Sequence, residues 1–417
     1  MRRSLLASGV VVRPRSTASA TPLDRWLAAR LQRSIAPAGV GVELWDGTST
    51  HPGGARTGDL LIRDRGALLA VLLNPDLQYG ELYSAERIDV RGDFATVVEA
   101  ISRVSIDAPI SWRERLALWA ARPNALVRAR RNIRHHYDLG NEFYRLWLDP
   151  QLVYTCAYYP TPSARLEEAQ VAKLDLVCRK LRLMPGETVI EAGCGWGALA
   201  LHMARMYGVR VKAFNISTEQ ITFAKERARR EGLYDRVTFI EDDYRNVSGR
   251  FDVFVSVGML EHVGRRNFSS LAAILRRVID RPAGRGLLHF IGRDTARPLN
   301  AWTRRRIFPG AYAPTLAEVT TEIIEPARLS VLDVENLRLH YARTLRHWRE
   351  RFTPAEPEVR ARFGEAFCRA WRLYLTASEA AFAIGSLQLF QVLFAPSSAG
   401  TVRWTRAEVY SELAGLL

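Results

Sequence analysis

Residues 188–197 read Thr188-Val189-Ile190-Glu191-Ala192-Gly193-Cys194-Gly195-Trp196-Gly197. The first five residues have the pattern of a buried strand, and residues 198–207 predict a helix. Glycines between a strand and a helix are typical of a loop that turns sharply and packs its main chain against a ligand. A dinucleotide-binding loop would have its third glycine at position 198, but that residue is Ala198. Such a site would also have an acidic residue at the end of the second strand, but the sequence there, Phe214-Asn215-Ile216-Ser217, contains none. The spacing and the leading Glu191 favour S-adenosylmethionine, with a bare packing turn as the alternative.

Strand and helix patterns alternate around this loop. Further strands are predicted at Val209–Phe214, Val237–Ile240, Phe251–Val257 and Gly286–Phe290, and helices at Ala198–Tyr207, Thr218–Glu231 and Phe268–Ile279. Thr218 is the predicted N-cap of its helix. The alternation predicts right-handed βαβ crossovers and a parallel sheet with helices on both faces, whose ligands bind at the carboxyl ends of the strands. Two antiparallel strands, from Val331–Leu337 and Gln388–Phe394, are expected to complete a seven-stranded sheet.

The residues before this region form a separate block. A helix is predicted at Leu23–Ile35 and another at Phe94–Ser102, with strand-like runs at Val40–Trp45, Asp59–Ile62 and Leu68–Leu73. A basic connector, residues 122–131, follows. We therefore predict an N-terminal domain over residues 1–126, with a basic leader interpreted as disordered rather than as a targeting peptide, and a catalytic domain over residues 127–417.

Composition limits the class of protein. The chain has 417 residues, 48% of them hydrophobic and 25% charged, and a formal net charge of +15. These values exclude collagen-like and largely disordered chains, and the charge favours a polyanionic partner. The four cysteines are far apart, which indicates free thiols in a reducing compartment. The longest apolar stretch, Ala380 to Pro396, is interrupted by Ser386, Gln388 and Gln391, which argues against a membrane span.

Several motifs together resemble the cyclopropane-fatty-acyl-phospholipid synthase family, including the mycolic acid cyclopropane synthases. Besides the glycine loop they are His136-Tyr137-Asp138-Leu139-Gly140-Asn141-Glu142-Phe143-Tyr144, Tyr154-Thr155-Cys156-Ala157-Tyr158-Tyr159, Asn215-Ile216-Ser217-Thr218-Glu219-Gln220, Asp243-Tyr244-Arg245, Gly258-Met259-Leu260-Glu261-His262-Val263-Gly264, Ile307-Phe308-Pro309-Gly310 and His340-Tyr341-Ala342-Arg343-Thr344-Leu345. They run in the family's order from about Asn132 to Pro396. Earlier in the chain only Tyr79-Gly80-Glu81-Leu82-Tyr83 resembles a family motif, a turn.

The resemblance implies a class-I S-adenosylmethionine methyltransferase fold, an α/β seven-stranded sheet with a smaller N-terminal domain. It also implies two sets of site residues. Those expected to bind the cofactor are Tyr154, Thr155, Gly193, Gly195, Ser217, Gln220, Asp243 and Tyr244. Those expected to hold a bound bicarbonate ion, the base of the family's reaction, are Cys156, Glu261, His289, Ile291 and Tyr341.

The chemistry explains why such residues are needed. A cis alkene is a weak nucleophile, so it must be held in line with the sulfonium methyl group in a dry pocket. Methyl transfer leaves a carbocation on the acyl chain, and a small base must remove a proton from the added methyl group for the ring to close. Two anions about 4 Å apart repel by roughly 4 kcal/mol at an effective dielectric constant near 20, so a carboxylate beside bicarbonate needs an explanation. Glu261 is expected to accept the hydrogen of the bicarbonate hydroxyl group and so to orient the ion.

The resemblance implies membrane phospholipid acyl chains as substrate, a homodimer, and a cytoplasmic location at the inner face of the cell membrane. The positive charge predicts peripheral docking on an anionic membrane surface. An RNA methyltransferase is the alternative from another class, with the basic residues 128–136 following phosphates. No RNA-binding module and no Asn-Pro-Pro-Tyr element follow the fourth strand, so no nucleic-acid partner is expected. A methyltransferase that makes methylene- or methyl-branched chains would share the same residues and stays open.

Overall fold

The computed structural model describes residues 19–51, 53–106, 139–279, 283–398 and 404–410. The predicted leader, the basic connector, the beginning of the 136–144 motif and the predicted domain boundary at 126/127 lie outside these residues. The division into domains 1–126 and 127–417 therefore stays a prediction.

The strands and helices are numbered along the chain. The strands are β1 (Val40–Glu43), β2 (Ser49–Thr50), β3 (Gly58–Ile62), β4 (Ile88–Arg91), β5 (Thr188–Ala192), β6 (Arg210–Asn215), β7 (Val237–Glu241), β8 (Val253–Val257), β9 (Arg285–Gly292), β10 (Leu329–Asn336) and β11 (Gln388–Pro396). The helices are α1 (Pro22–Ile35), α2 (Arg65–Leu73), α3 (Pro75–Ser84), α4 (Phe94–Ile106), α5 (Asn141–Arg145), α6 (Leu166–Lys180), α7 (Ala198–Tyr207), α8 (Thr218–Arg230), α9 (Leu260–Val263), α10 (Phe268–Val278), α11 (Ala301–Arg306), α12 (Leu316–Val319), α13 (Arg338–Phe363), α14 (Glu365–Ile384) and α15 (Ala407–Tyr410).

The chain divides into two compact units. The first unit joins Met1–Arg115 to two later segments, Leu299–Pro309 and Leu345–Ser386. The second comprises Leu116–Pro298, Gly310–Thr344 and Leu387–Leu417.

The first unit contains a four-stranded sheet in the order β2-β1-β3-β4, in which β1 and β3 are parallel. The predicted strand at Leu68–Leu73 is wrong, because these residues lie in helix α2. Asp64 caps this helix by accepting a hydrogen bond from the backbone N–H of Ala67 at 2.9 Å. Only Ala67, Leu68 and Val71 are buried, a helical spacing that so short an apolar run does not reveal.

The segment at residues 79–83 that resembles a family turn is also helical, inside α3. Gly80 is needed there because a Cβ at this position would lie 2.4 Å from the ring of Trp302, in the later segment of the same unit. The neighbouring Glu81 accepts hydrogen bonds from Arg306 at 2.6 and 2.7 Å. These contacts join α3 to the segment at Leu299–Pro309.

The second unit contains the predicted seven-stranded sheet, in the order β10-β11-β9-β8-β5-β6-β7. Strands β5 to β9 are parallel, and β11 runs antiparallel to both β9 and β10. Every strand predicted for this sheet is present, with ends displaced by at most two residues. The last two strands are antiparallel to each other as expected, and β11 is the strand that runs against the rest.

Two hydrophobic clusters cover the two faces of this sheet. Val189 and Val255 belong to the cluster that includes Leu174 and Val177 of α6, whereas Ile190 and Phe254 belong to the cluster of α10. Strands buried on both faces are typical of parallel sheets under crossover helices. Within the described part of the chain, no helix combines the length and the apolar character that crossing a bilayer requires.

Candidate active site

The glycine loop follows β5, as predicted. Two of its glycines are needed for packing within the protein, and the third has open space around it. A Cβ at Gly193 would lie 2.9 Å from the Met259 Cβ, and one at Gly197 would lie 2.6 Å from the Phe239 ring. Packing within the protein therefore requires glycine at both positions. At Gly195, where φ is +54°, no atom lies within 4 Å of the added carbon. Gly195 is thus the loop position with open space for a ligand.

The turn after β6 holds the side-chain amide of Gln220, whose nitrogen has no partner in the described chain. Asn215 donates to the side-chain oxygen of Gln220 at 2.7 Å and to the Gly195 carbonyl at 3.3 Å. This leaves the buried Nε2 of Gln220 with no partner among the described residues. Thr218 is not the N-cap of α8 as predicted: Ser217 caps it, its Oγ accepting from the Gln220 N–H. The chain leaves its extended conformation one residue earlier than the sequence indicates, and Thr218 bonds to Glu241 instead.

Of the two predicted residues after β7, one already has side-chain hydrogen-bond partners within the protein. The Asp243 carboxylate accepts from Arg245 Nε at 2.7 Å and Nη2 at 2.8 Å. The Tyr244 ring packs into the core, and burial raises the pKa of its hydroxyl group, which has no partner in the described chain. Their role beside an adenine ring stays a prediction.

The segment from Tyr154 to Cys156 is held by aromatic and polar contacts. The Tyr154 ring lies 5.6 Å from the ring of Tyr144 and 5.3 Å from that of Trp147, measured between centroids. Thr155 packs against Gly258 at the end of β8, where an added Cβ would lie 2.8 Å from its methyl group. Cys156 is buried, and burial raises the pKa of its thiol. Cys156 is therefore a neutral thiol, not a thiolate nucleophile.

Glu261 lies on α9, directly after β8, with one carboxylate oxygen bonded and the other free. Its Oε1 accepts the backbone N–H of Ile291. Its Oε2 is buried and has no partner among the described residues. Burial raises the pKa of this carboxyl group to about 7. Glu261 thus offers one free acceptor inside the protein.

His289 lies in β9 opposite Gln391 of β11. The Gln391 Nε2 and the His289 Nδ1 are 3.0 Å apart. Burial lowers the pKa of His289 well below its usual value, so the imidazole is neutral at physiological pH. With the amide nitrogen donating to Nδ1, the ring hydrogen must be on Nε2. That atom is buried and unpartnered in the described chain, so it is a free donor.

Leu337 contacts Cys156 and Tyr341, and it also bonds to the strand that pairs with Ile291. Its carbonyl accepts from the Tyr341 N–H at 3.1 Å and lies 4.0 Å from the Cys156 sulfur. Its own N–H donates to Leu389, which pairs in register with Ile291. The structure therefore brings Glu261 and Ile291 into direct contact and places Cys156 and Tyr341 around Leu337.

Three polar residues near the site were not predicted. Gln170 and Lys173 lie three residues apart on α6, and both bond to the 153–155 segment. Gln170 donates to the Val153 and Thr155 carbonyls, and Lys173 to the Thr155 hydroxyl. Gln391 orients His289. The signal was available: Gln391 interrupts an apolar strand, and Lys173 is one of only four lysines.

The free polar atoms fit the two groups that the resemblance implies. Open space at Gly195 and an unpaired amide at Gln220 suit the polar parts of S-adenosylmethionine. An acceptor on Glu261 and a donor on His289, both buried, suit an ion that carries one hydroxyl group and two further oxygens.

Comparisons with known proteins identify the family of the chain. Residues 124–392 match the family model described as mycolic acid cyclopropane synthetase. The cyclopropane-fatty-acyl-phospholipid synthase of Escherichia coli K12 is 36% identical over 350 residues, 82% of this chain and 88% of that protein. A probable fatty acid methyltransferase of Pseudomonas putida is 35% identical over 387 residues, 88% of this chain and 95% of that protein.

Solved structures show the same fold. The cyclopropane synthase MmaA2 of Mycobacterium tuberculosis superposes with a TM-score of 0.61 at 30% identity, covering 64% of this chain and 98% of its own. The mycolic acid cyclopropane synthase CmaA1, solved with SAH and CTAB, gives a TM-score of 0.59 at 29% identity, covering 64% of this chain and 97% of its own. The chain therefore belongs to the mycolic acid cyclopropane synthetase family, which includes the cyclopropane-fatty-acyl-phospholipid synthases, and has the α/β fold of S-adenosylmethionine-dependent methyltransferases.

Proposed function

We propose that this protein is a cyclopropane-fatty-acyl-phospholipid synthase, which uses S-adenosylmethionine to add a methylene group across the cis double bond of an unsaturated phospholipid acyl chain. The observation that carries the proposal is the pair of free polar atoms on Glu261 and His289. One accepts and the other donates, and both are buried. Glu261 follows β8, and His289 pairs in register with Val257, the last residue of β8.

The chain's own groups would bind and orient the reactants. S-adenosylmethionine supplies the electrophilic methyl group when bound, and Gly193, Gly195 and Gln220 are among the residues that would hold it. Bicarbonate, when bound, supplies a base too small and too weakly nucleophilic to trap the cation. Glu261 Oε2 would accept from its hydroxyl group, and His289 Nε2–H would donate to another oxygen.

Burial strengthens the hydrogen bonds that Glu261 and His289 would make to a bound ion. A hydrogen bond in a site without water is stronger than the same bond in solvent, and its partners need no reorganisation during the reaction. The neutral state of Cys156 matters too, because a thiolate at that position would compete for the carbocation. Tyr341, at the start of α13, would add a further donor.

A second product class remains a candidate. The Pseudomonas putida relative, which matches 88% of this chain, is named a probable fatty acid methyltransferase. Loss of a different proton from the same carbocation leaves a double bond, which gives a methylene-branched chain or a methyl-branched chain that is still unsaturated. Both products need the same groups, and the geometry around the cation selects between them.

Mass spectrometry of lipids from cells that express the protein tests the proposal. Phospholipid acyl chains 14 Da heavier that resist mild hydrogenation would be cyclopropanes. Chains that take up hydrogen as alkenes would be methylene-branched and would favour the second candidate. A Glu261→Gln variant expressed to the same level is the control. Unchanged lipids with the native protein would contradict both candidates.

We further propose where the enzyme acts. An acyl chain is reached from a bilayer, and the net charge of +15 suits transient docking on an anionic membrane surface. The proposal places the protein in the cytoplasm, at the inner face of the membrane, as a homodimer with no nucleic-acid partner. Co-sedimentation with anionic liposomes, compared with a gel shift on RNA, tests the choice of partner.

A further inference from the structure

Lys173 is a buried ammonium group next to the proposed site. It lies on α6, and its side chain is 1% exposed. Its Nζ donates to the Thr155 hydroxyl oxygen at 2.8 Å. No carboxylate of the described chain comes within the 4.0 Å distance of an ion pair. Burial lowers the pKa of this ammonium group by more than the carboxyl groups of Asp149 and Glu191 raise it. A buried charge with no ion pair is costly, so such a residue calls for an explanation.

Lys180 provides the comparison within the same helix. It is also buried, at 3% exposed, but its ammonium group pairs with the Glu335 carboxylate. Two lysines of one helix therefore enter the interior, and of the two only Lys180 forms an ion pair with a carboxylate of the described chain. The other, Lys173, lies on the face of the helix that contacts Thr155, a residue at a predicted cofactor-binding position.

Hydrogen-bond chemistry decides what the Thr155 hydroxyl can do. An ammonium group has donors and no acceptor, so the Thr155 oxygen must accept from Lys173. The hydroxyl hydrogen of Thr155 then points elsewhere, and the described residues offer it no acceptor. The remaining two N–H groups of Lys173 have no acceptor there either. These donors are available for a ligand.

The charge of Lys173 reaches the rest of the site. Burial raises the pKa of the Cys156 thiol and of Glu191 and lowers that of His289; the charge of Lys173 opposes the first two shifts and adds to the third. Burial lowers the pKa of Lys173 itself to about 8, so the group is mainly charged at neutral pH. A positive charge bonded to the Thr155 hydroxyl favours an anionic group of a ligand at that point.

We propose that Lys173 is a positioning residue that holds the Thr155 hydroxyl as a donor toward a carboxylate-type oxyanion of a bound ligand. This inference rests on the proposed function, which supplies two such anions: the carboxylate of the cofactor's methionine part, and bicarbonate. Both have oxygens in one plane around a carbon atom. The experiment separates them.

Calorimetry with two cofactor products tests the first source. S-adenosylhomocysteine has the carboxylate, whereas 5′-methylthioadenosine has the same adenosine and sulfur without the amino-acid part. If the carboxylate is held, Lys173→Met weakens S-adenosylhomocysteine binding at least tenfold and leaves methylthioadenosine binding within twofold. Lys180→Met is the matched control, since it removes a buried ammonium group from the same helix, and it should leave the ratio of the two affinities unchanged.

Labelled bicarbonate tests the second source. If bicarbonate is the anion, Lys173→Met leaves S-adenosylhomocysteine affinity unchanged and abolishes the ¹³C line broadening that the native protein produces. Either result supports the positioning role. Neither measurement needs turnover, so the outcome is independent of which lipid product the enzyme makes.

Thr155 variants keep the inference testable if Lys173→Met does not fold. Thr155→Ser retains the hydroxyl group and should bind within threefold of the native protein. Thr155→Val should reproduce the loss, and the double variant should lose little more, because the two groups act as one unit. Equal losses for both nucleosides, or no change in either ligand relative to Lys180→Met, would overturn the inference.

Discussion

The Glu261 carboxyl group is buried, and burial destabilises its ionised form. The pKa of its carboxyl group is about 7, raised by burial from an ordinary value of 4.5. Between these two values the native protein binds more protons than the unfolded chain, so stability falls as pH rises. The contribution of Glu261 is therefore fully present below pH 4.5 and is lost as pH passes through 7. A residue selected for stability alone would not be ionisable here.

We expect Glu261→Gln to separate stability from catalysis. The amide cannot ionise, so the variant should be more stable than the native protein at pH 8, by on the order of 1–3 kcal/mol, and nearly equal to it at pH 4.5. Urea unfolding at the two pH values measures the difference. A variant that is less stable at pH 8 would show that the carboxylate is compensated in a way that the structure does not indicate.

The same variant should lose activity by about a hundredfold, because its amide offers a donor where the bicarbonate hydroxyl needs an acceptor. Cofactor affinity should stay within a few-fold, since Glu261 is not among the predicted cofactor residues. Native activity should fall when bicarbonate is stripped from the buffer and return when it is added. A fully active Glu261→Gln enzyme indifferent to bicarbonate would mean that the base is held elsewhere.

Gly195 is the loop residue whose substitution should affect the ligand more than substitution of a matched glycine does, although its φ of +54° strains a larger residue at this position. A side chain at this position enters space that no protein atom occupies. Gly195→Val should therefore abolish S-adenosylmethionine binding in a folded protein, as measured by calorimetry. Gly186→Val is the matched control, since Gly186 also has a positive φ, +87°, and open space around it. Equal loss in both variants, or unchanged binding in Gly195→Val, would contradict the assignment.

At the level of strands and helices, the pairing of β9 with β11 determines the protonation of His289. We expect Gln391→Leu to lower the turnover rate tenfold or more, because without the donor at Nδ1 the imidazole hydrogen is no longer fixed on Nε2. The control is Gln388→Leu in the same strand, where the amide bonds to Asp294 at 2.9 Å instead. Steady-state kinetics measures both variants. Equal effects on the rate would indicate a loss of strand packing, not of tautomer control.

The regular elements show what a sequence can predict. The strands of the large sheet are recognisable because each is a short apolar run between helices of amphipathic spacing, and their order follows from right-handed crossovers. Leu68–Leu73 fails because six apolar residues fit a helix and a strand equally, and only the fold shows that Leu68 and Val71 are buried while Leu69 and Leu73 are exposed. The helix α8 begins at Thr218 as predicted, but its predicted N-cap fails because Ser217 and Thr218 are both good caps, and backbone geometry alone selects one.

The site was predictable to a different degree. Glu261, His289 and the glycine loop follow from their places at strand ends and from the family motifs. Lys173 and Gln391 act through partners 18 and 102 residues away in the chain. Both residues stand out in the sequence, Gln391 as a polar residue in an apolar strand and Lys173 as one of four lysines. No local pattern names their partners, so what they orient appears only when the chain is folded.

At the scale of the whole molecule, chain order and spatial order differ. The first unit takes in Leu345–Ser386, so α14 packs with α3 and α4 far from it in sequence. Arg369 of α14 donates to the Tyr83 carbonyl at 2.6 Å, and its guanidinium lies 4.1 Å from the centre of the Tyr83 ring. An N-terminal fragment that ends at residue 126 would lack these partners, which makes the complete chain the proper object for binding experiments.

Membrane docking is the prediction that belongs to the complete chain. Its net charge of +15 should attract anionic lipid headgroups, and this attraction is screened over about 10 Å at 0.1 M salt. Binding to vesicles that contain phosphatidylglycerol should therefore weaken steeply, by tenfold or more, as salt rises from 20 to 200 mM, measured by co-sedimentation. Vesicles of phosphatidylcholine alone are the control and should bind weakly at every salt concentration. Binding that is strong on both vesicle types and insensitive to salt would mean that apolar contacts, not the basic surface, bring the enzyme to its substrate.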